Sequence, residues 1–309
     1  MTRVLITGAG GFLGRHITHY LHKRGYTVAG LGRFVKGIRP SQLKEGIDSY
    51  GMTLPDEALS RVLKDFSPDA VVHCASTASV PDSVNDPLMD FRGSVAVCAQ
   101  TLDTIRKISP STRFIFLSSA AVYGNPTNIP VPETASCAPI SPYGFDKRMC
   151  ELLVQEYSDI YGISSAVLRI FSAYGQFLQR QVIHDLCLKF SANEQIVDVL
   201  GTGNESRDFI HAWDVAQAVE CIITSDATGI FNVASGEETS ISKLIGLLGS
   251  LFANGKTIRF SGDVREGDPL RWQANIDRIS LLGFNPSITL TDGLITYHRW
   301  FISRGGDIS

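Results

Sequence analysis

Gly8, Gly11 and Gly14 stand three residues apart, directly behind the apolar run Arg3-Val4-Leu5-Ile6-Thr7 and in front of an amphipathic stretch that starts at Phe12. Few folds accommodate this arrangement. A buried strand must end, the backbone must turn sharply, and a helix must begin close against what it has just left. Glycine permits both the turn and the close approach. The helix start then offers unpaired N–H groups and a partial positive charge suited to phosphate. The spacing predicts a strand–turn–helix unit that cradles the pyrophosphate of a dinucleotide, with Gly8, Gly11, Phe12, Leu13 and Gly14 at the contact. It is Gly-x-x-Gly-x-x-Gly rather than Gly-x-Gly-x-x-Gly.

The rest of the chain repeats the alternation. Strands are predicted at Arg3–Thr7, Thr27–Leu31, Ala70–His73, Arg113–Ser118 and Ser164–Arg169, with helices at Phe12–Arg24, Asp56–Phe66, Val84–Lys107 and Tyr143–Tyr161. Val4-Leu5-Ile6 and Phe114-Ile115-Phe116-Leu117 are apolar at every position, as strands covered by helices on both faces must be. The fold class that follows is α/β, a doubly wound parallel sheet with a smaller, interleaved C-terminal domain. The dinucleotide domain is expected to span residues 1–170 and to return at about 208–235. Residues 171–207 and 236–309, including a loop-rich tail, form the expected cap.

At 309 residues, 44% apolar and 19% charged, the chain has the composition of a globular protein. A net charge of −3 with interspersed acids and bases gives no basic surface for nucleic acid. No apolar run approaches the roughly 20 residues of a membrane span. The start of the chain lacks the order of a signal peptide, which points to the cytoplasm. The six cysteines form no Cys-x-x-Cys, so neither a metal site nor a disulfide framework is expected.

The second strand ends in Gly32-Arg33 with no carboxylate to accept from a ribose, and Lys36 and Arg39 follow. A guanidinium there complements a 2′-phosphate, which favours NADP over NAD. The alternative is a solvated basic loop. Further on, Tyr143 is the one tyrosine of nine with a lysine, Lys147, four residues later. On a helix the two share a face. A free phenol titrates near 10 and is a poor base at neutral pH, and a neighbouring ammonium favours the phenolate. Tyr143 then exchanges a proton with a substrate oxygen while hydride moves to or from a nicotinamide. Ser119, at the end of a sheet strand, is the candidate to orient that oxygen. Taken singly, the Tyr/Lys pair is also what an exposed helix face shows.

The ordered motifs Thr7-Gly8-Ala9-Gly10-Gly11-Phe12-Leu13-Gly14, His73-Cys74-Ala75-Ser76, Ser118-Ser119-Ala120-Ala121-Val122-Tyr123-Gly124, Tyr143-Gly144-x-x-Lys147, Leu168 to Gly175, Arg207-Asp208-Phe209-Ile210-His211 and Gly267-Asp268-Pro269 together resemble the extended short-chain dehydrogenases/reductases. Within them the chain is most similar to the NAD(P)-dependent nucleotide-sugar epimerase/dehydratase group, over nearly its whole length. The resemblance implies a Rossmann sheet and a catalytic set of Ser119, Tyr143 and Lys147. It implies that Ala75 and Ser118 border the dinucleotide, and that Arg207 and Arg271 grip the diphosphate of a sugar nucleotide. Ser83 and Ser172 then lie along the sugar side. A structural ion pair with Asp208 or another acid is the other reading of Arg207, and Asp214 serves a helix N-terminus. The resemblance also implies a homodimer built from the helices at Val84–Lys107 and Tyr143–Tyr161, with Val95, Val97, Leu102 and Ile105 as either its surface or the face against the sheet.

Departures from the group narrow the reaction. Dehydratases carry an acid and a base after the fourth of these strands, where this chain has Ala120-Ala121, so dehydration is disfavoured. What remains is a nucleotide-sugar epimerase acting at C4 through a 4-keto sugar, or an NADPH-dependent reductase of 4-keto-6-deoxy nucleotide sugars. Epimerases of the group usually hold NAD with an acid after the second strand, whereas Arg33 suits exchangeable NADPH. Ser172 stands where the group usually has asparagine, and Ser94 where it often has a cofactor-side asparagine. A non-catalytic dinucleotide sensor is a remote alternative, since such a sensor has no need of the Ser119/Tyr143/Lys147 set.

Overall fold

The computed structural model describes residues 1–33, 46–253, 255–263 and 270–304. In chain order its elements are β1 (Arg3–Thr7), α1 (Phe12–Lys23), β2 (Thr27–Gly32), β3 (Asp48–Gly51), α2 (Leu59–Phe66), β4 (Ala70–His73), α3 (Val80–Asn85), α4 (Pro87–Ile108) and β5 (Arg113–Ser119). A 3-10 turn at Ala120–Tyr123 leads to α5 (Pro142–Tyr161), β6 (Ser165–Ile170), β7 (Ser172–Tyr174), α6 (Gln181–Ser191), β8 (Ile196–Val199) and β9 (Ser206–His211). The remainder is α7 (Ala212–Ser225), β10 (Gly229–Val233), β11 (Glu238–Ser240), α8 (Ile241–Phe252), β12 (Thr257–Phe260), α9 (Asp277–Ser280) and α10 (Leu290–Ser303).

Seven strands form one parallel sheet in the order β10-β6-β5-β4-β1-β2-β3. Continuous apolar strands are explained by alternation across it. Val4 and Ile6 enter one core cluster with Ile17 and Leu21 of α1 and Val215 and Val219 of α7. Leu5 between them enters another, with Leu63 of α2, Leu102 of α4 and Val154 of α5. Phe114 and Phe116 divide from Ile115 and Leu117 in the same way. The chain runs outward from β1 in one direction and from β4 in the other, so a crevice opens between their C-terminal ends. Gly8 and Cys74 sit there, at the switch point where open α/β sheets take their ligands.

The smaller part has its own core, in which Leu186 and Phe190 of α6, Leu244 and Leu248 of α8, and Tyr297 and Phe301 of α10 meet. Two short sheets, β11-β9-β7 and β12-β8, frame it. Two features differ from the sequence expectation. The tail expected to be loop-rich carries one long helix, α10. β9 belongs to a small sheet, so the chain returns to the large layer with α7 at Ala212 rather than at 208. The edge strand β3, Asp-Ser-Tyr-Gly, has no apolar run to announce it.

Candidate active site

The glycine turn is as tight as its sequence demands. Gly8 has φ +69°, and a Cβ on it would lie 2.8 Å from the Ala75 nitrogen and from the Cys74 carbonyl carbon. A Cβ on Gly14 would overlap the Gly8 carbonyl oxygen. The turn is closed by Gly11 N–H donating to Gly8 O at 2.9 Å and Ala9 N–H donating to Leu31 O at 3.1 Å. Gly11 then caps α1 with no side chain, and the first turn of α1 has no acid. Its amide donors are open to an anion, which is the fit a pyrophosphate requires. Leu13 packs on the sheet core and Phe12 on the core of the smaller part. Arg33 is exposed at the end of β2, with its carbonyl 3.2 Å from where a Gly10 Cβ would be. Lys36, Arg39 and the Gly267-Asp268-Pro269 motif lie outside the described residues.

Ser119 and Tyr143 are placed by capping chemistry. The Ser119 hydroxyl ends β5 by accepting from Ala121 N–H at 3.2 Å and is half-buried. Helix α5 begins with Pro142 at its first position and Ser141 as cap, accepting from Gly144 N–H at 3.2 Å. Gly144 has no room for a side chain, since its Cβ would come within 2.7 Å of the Ala121 carbonyl oxygen. That contact draws the start of α5 onto the 3-10 turn. Tyr143 is half-buried, and among the described residues nothing hydrogen-bonds its hydroxyl. Lys147 is buried, donates to Leu117 O at 3.0 Å, and lies 5.8 Å from the Tyr143 ring centroid. Burial, reinforced by the Lys147 ammonium, holds His73 neutral, with its pKa lowered to about 3.

Three of the expected contacts take a different form. Ser118 points to the opposite face of β5 from Ser119, and its hydroxyl donates to Glu151 Oε1 at 2.7 Å in the buried interior. Its hydroxyl is therefore committed to the interior. Ser83 is fully buried, donates to Val80 O at 2.7 Å and accepts from Tyr143 N–H at 3.1 Å, so its hydroxyl is engaged in ordering the start of α5. Arg271 is held by Glu238 through two 2.8 Å hydrogen bonds, which commits the guanidinium fork that was expected on a diphosphate. Val95, Val97, Leu102 and Ile105 are all buried, in keeping with the inward-facing one of their two expected arrangements.

Arg207 and Ser172 sit on the neighbouring strands β9 and β7, both half-buried. Arg207 donates to Ser206 O at 2.9 Å, with its guanidinium carbon 5.7 Å from the centre of the Trp272 ring. It is not paired with Asp208, whose carboxylate takes Ser235 N and Oγ, Gly236 N and Ala274 N. Asp214 does more than favour a helix start. It accepts from Ser287 and Ile288 and so fastens the chain leading into α10.

Sequence reasoning missed the ion pair beneath the site. Arg169, 2% exposed, donates twice to Glu151 (2.9 and 2.8 Å), which also takes Ser118 and Arg148. The signal was present: Glu151 follows Lys147 by one helical turn, and Arg169 interrupts an apolar strand that must be buried.

Comparison with known proteins bears on this arrangement directly. The model of the NAD dependent epimerase/dehydratase family matches residues 4–234. A UDP-glucose 4-epimerase of Azospirillum brasilense is 29% identical over 95% of this chain and 90% of its own length. Among solved structures, a UDP-N-acetylglucosamine 4-epimerase from Methanobrevibacter ruminantium, in complex with UDP-N-acetylmuramic acid, has a TM-score of 0.90 at 28% identity, covering 98% of this chain and 99% of its own. A Thermus thermophilus UDP-glucose 4-epimerase in complex with NAD has a TM-score of 0.88 at 26% identity, over 99% and 100% of the two chains.

Proposed function

Because the chain belongs to the NAD dependent epimerase/dehydratase family, we propose that it is a nucleotide-sugar 4-epimerase working through a 4-keto sugar. The observation that carries this reading is the convergence of Ser119, Tyr143 and Lys147 beside the glycine turn, with alanine at 120 and 121. The turn formed by Gly8, Gly11 and Gly14 would hold the pyrophosphate of the dinucleotide, and Lys147 the ribose beside the nicotinamide. When bound, the nicotinamide supplies reversible hydride exchange with a sugar carbon. Tyr143 takes the proton from the O4 hydroxyl and returns it, and Ser119 holds O4 in place. Lys147, fixed by Leu117 O, keeps a positive charge beside the phenol where negative charge develops. Ala120 and Ala121 have no proton to give, which leaves C5 and C6 untouched. Arg207 would engage the diphosphate, and Arg271 would do so only after leaving Glu238.

The relatives' names make UDP-hexoses the first substrates to try. The purified protein should interconvert UDP-glucose and UDP-galactose, or their N-acetylated counterparts, with no added cofactor and no net absorbance change at 340 nm. Tyr143→Phe should lower kcat by about 10²–10⁴-fold. An unaffected Tyr143→Phe enzyme would overturn the proposal. Arg33, with no carboxylate at the end of β2, favours NADP as cofactor and supports a second reading, the NADPH-dependent 4-keto sugar reductase. Stoichiometric NADPH consumption with a 4-keto-6-deoxy sugar nucleotide would select it. A homodimer is part of the proposal. It is supported by the exposed Leu88, Met89 and Phe91 on α4 and Phe145 and Leu152 on α5, and sedimentation of the full chain measures it.

A further inference from the structure

Helices α4 and α5 meet across a buried pair of carboxyls that the proposed chemistry leaves unused. Asp90, in the first turn of α4, is 3% exposed, and Asp146, immediately before Lys147 on α5, is 4% exposed. The two carboxyls face each other across the helix pair, near enough for Asp90 to act on Asp146. Among the described residues the Oδ2 atom of each is buried with no hydrogen-bond partner. Two ionised carboxylates would repel in such a site away from water, and one proton held between them removes that repulsion.

The pair is also wired to the cofactor side of the crevice. The Thr77 hydroxyl donates to Asp90 Oδ1, Ser94 Oγ lies 2.8 Å from Thr77 Oγ1, and Ser76 Oγ lies 3.0 Å from Ser94 Oγ. Residues 76 and 77 continue the loop whose Ala75 presses against Gly8. A set of hydrogen bonds therefore joins the loop beside the glycine turn to Asp90 of α4, and Asp146, facing Asp90, stands on the turn of α5 that bears Tyr143 and Lys147.

We propose that Asp90 and Asp146 are positioning residues, in which one shared proton clasps α4 to α5, fixes Tyr143 and Lys147, and sets an upper pH limit on turnover. This rests on reading Tyr143 and Lys147 as the catalytic pair. The charged groups acting on Asp146 are Asp90 from α4 and Lys147 from its own helix. The acid of α3, Asp82, is exposed, as are Asp86 and Arg92 of α4, and His73 at the end of β4 is kept neutral by burial. Burial and the neighbouring Asp90 raise Asp146 to about 7, and Lys147 opposes them. The sign follows. The folded pKa lies above the unfolded one, so the clasp stabilises fully below about pH 4 and is lost as pH rises through about 7. No hydrogen bond links the pair to Tyr143 among the described residues, which makes it a positioning device rather than a proton donor.

The test compares wild type with Asp146→Asn and Asp146→Ala across pH 5.5–9 by two readouts, kcat on UDP-glucose and the Tm of the ligand-free protein. In Asp146→Asn the amide donates to Asp90 at every pH. Wild-type kcat should fall above neutrality, approaching tenfold per pH unit, and Tm should fall with it, whereas Asp146→Asn should lose both declines with KM unchanged. Asp146→Ala should have low kcat throughout. An Asp146→Asn profile superimposable on wild type in both readouts overturns the proposal, as does wild-type activity in Asp146→Ala. If wild type turns over no sugar nucleotide, the functional reading fails by itself, and the Tm comparison still decides for or against the shared proton.

Discussion

The Ser83 hydroxyl accepts a hydrogen bond from the backbone N–H of Tyr143 at 3.1 Å while donating to Val80 O. A residue on the short helix α3 thus supplies a partner for one of the orphan amide donors in the first turn of α5. The orientation of the Tyr143 phenol depends on that turn. Ser83→Ala should cost about 1–3 kcal/mol by leaving a partly buried donor unpaired, read as a lower urea midpoint. It should lower kcat more than it raises KM. Unchanged stability and kcat would mean that the contact is incidental.

Gly14→Ala places a methyl group against the Gly8 carbonyl, which is backbone and cannot swing aside. The glycine turn must open for α1 to remain packed. The expected result is weaker NADH and NADPH binding by at least about tenfold, corresponding to roughly 1.4 kcal/mol, with far-UV circular dichroism unchanged. Fluorescence titration of the reduced dinucleotides measures it.

Arg33 ends β2 beside the glycine turn, exposed, where a carboxylate would otherwise meet the ribose. NADPH should bind more tightly than NADH, and Arg33→Asp should reverse the order. Equal affinities before and after substitution would show that the 2′-phosphate is read elsewhere or not at all.

His16, packed between Phe12, Phe177 and Trp213, is driven down to about 4 chiefly by burial. Its folded pKa lies below its unfolded one, so it contributes stability above about pH 6.5 that is lost as pH falls through about 4. His16→Leu removes this titration while keeping the site apolar. Between pH 7 and pH 4 the variant should lose less stability than wild type, by on the order of 3 kcal/mol. Parallel losses in the two proteins would place the acid sensitivity at other groups.

The large sheet was legible because its strands announce themselves twice, by unbroken apolar runs and by the glycines or helix caps that end them. β3 escaped because an exposed edge strand needs neither signal, and α10 because the glycines and prolines ahead of it suggested loops. The close packing at Gly8 and Gly14 and the shared helix of Tyr143 and Lys147 were legible for a local reason: each is fixed by spacing along a turn or helix face. Ser83, Ser118 and Arg271 were not. Their roles depend on Tyr143, Glu151 and Glu238, partners brought from distant parts of the chain.

The sequence by itself determined a doubly wound sheet with a tight glycine turn and a Tyr/Lys pair on one helix, since these follow from local backbone freedom and helical period. Only the tertiary structure decided which hydroxyl faces the crevice and which faces the core, because that depends on strand alternation and on what packs behind it. It also decided that Asp90 and Asp146, more than fifty residues apart, share one dry space. Burial in low dielectric makes two neighbouring carboxylates costly to ionise together, and no spacing along the chain encodes that encounter.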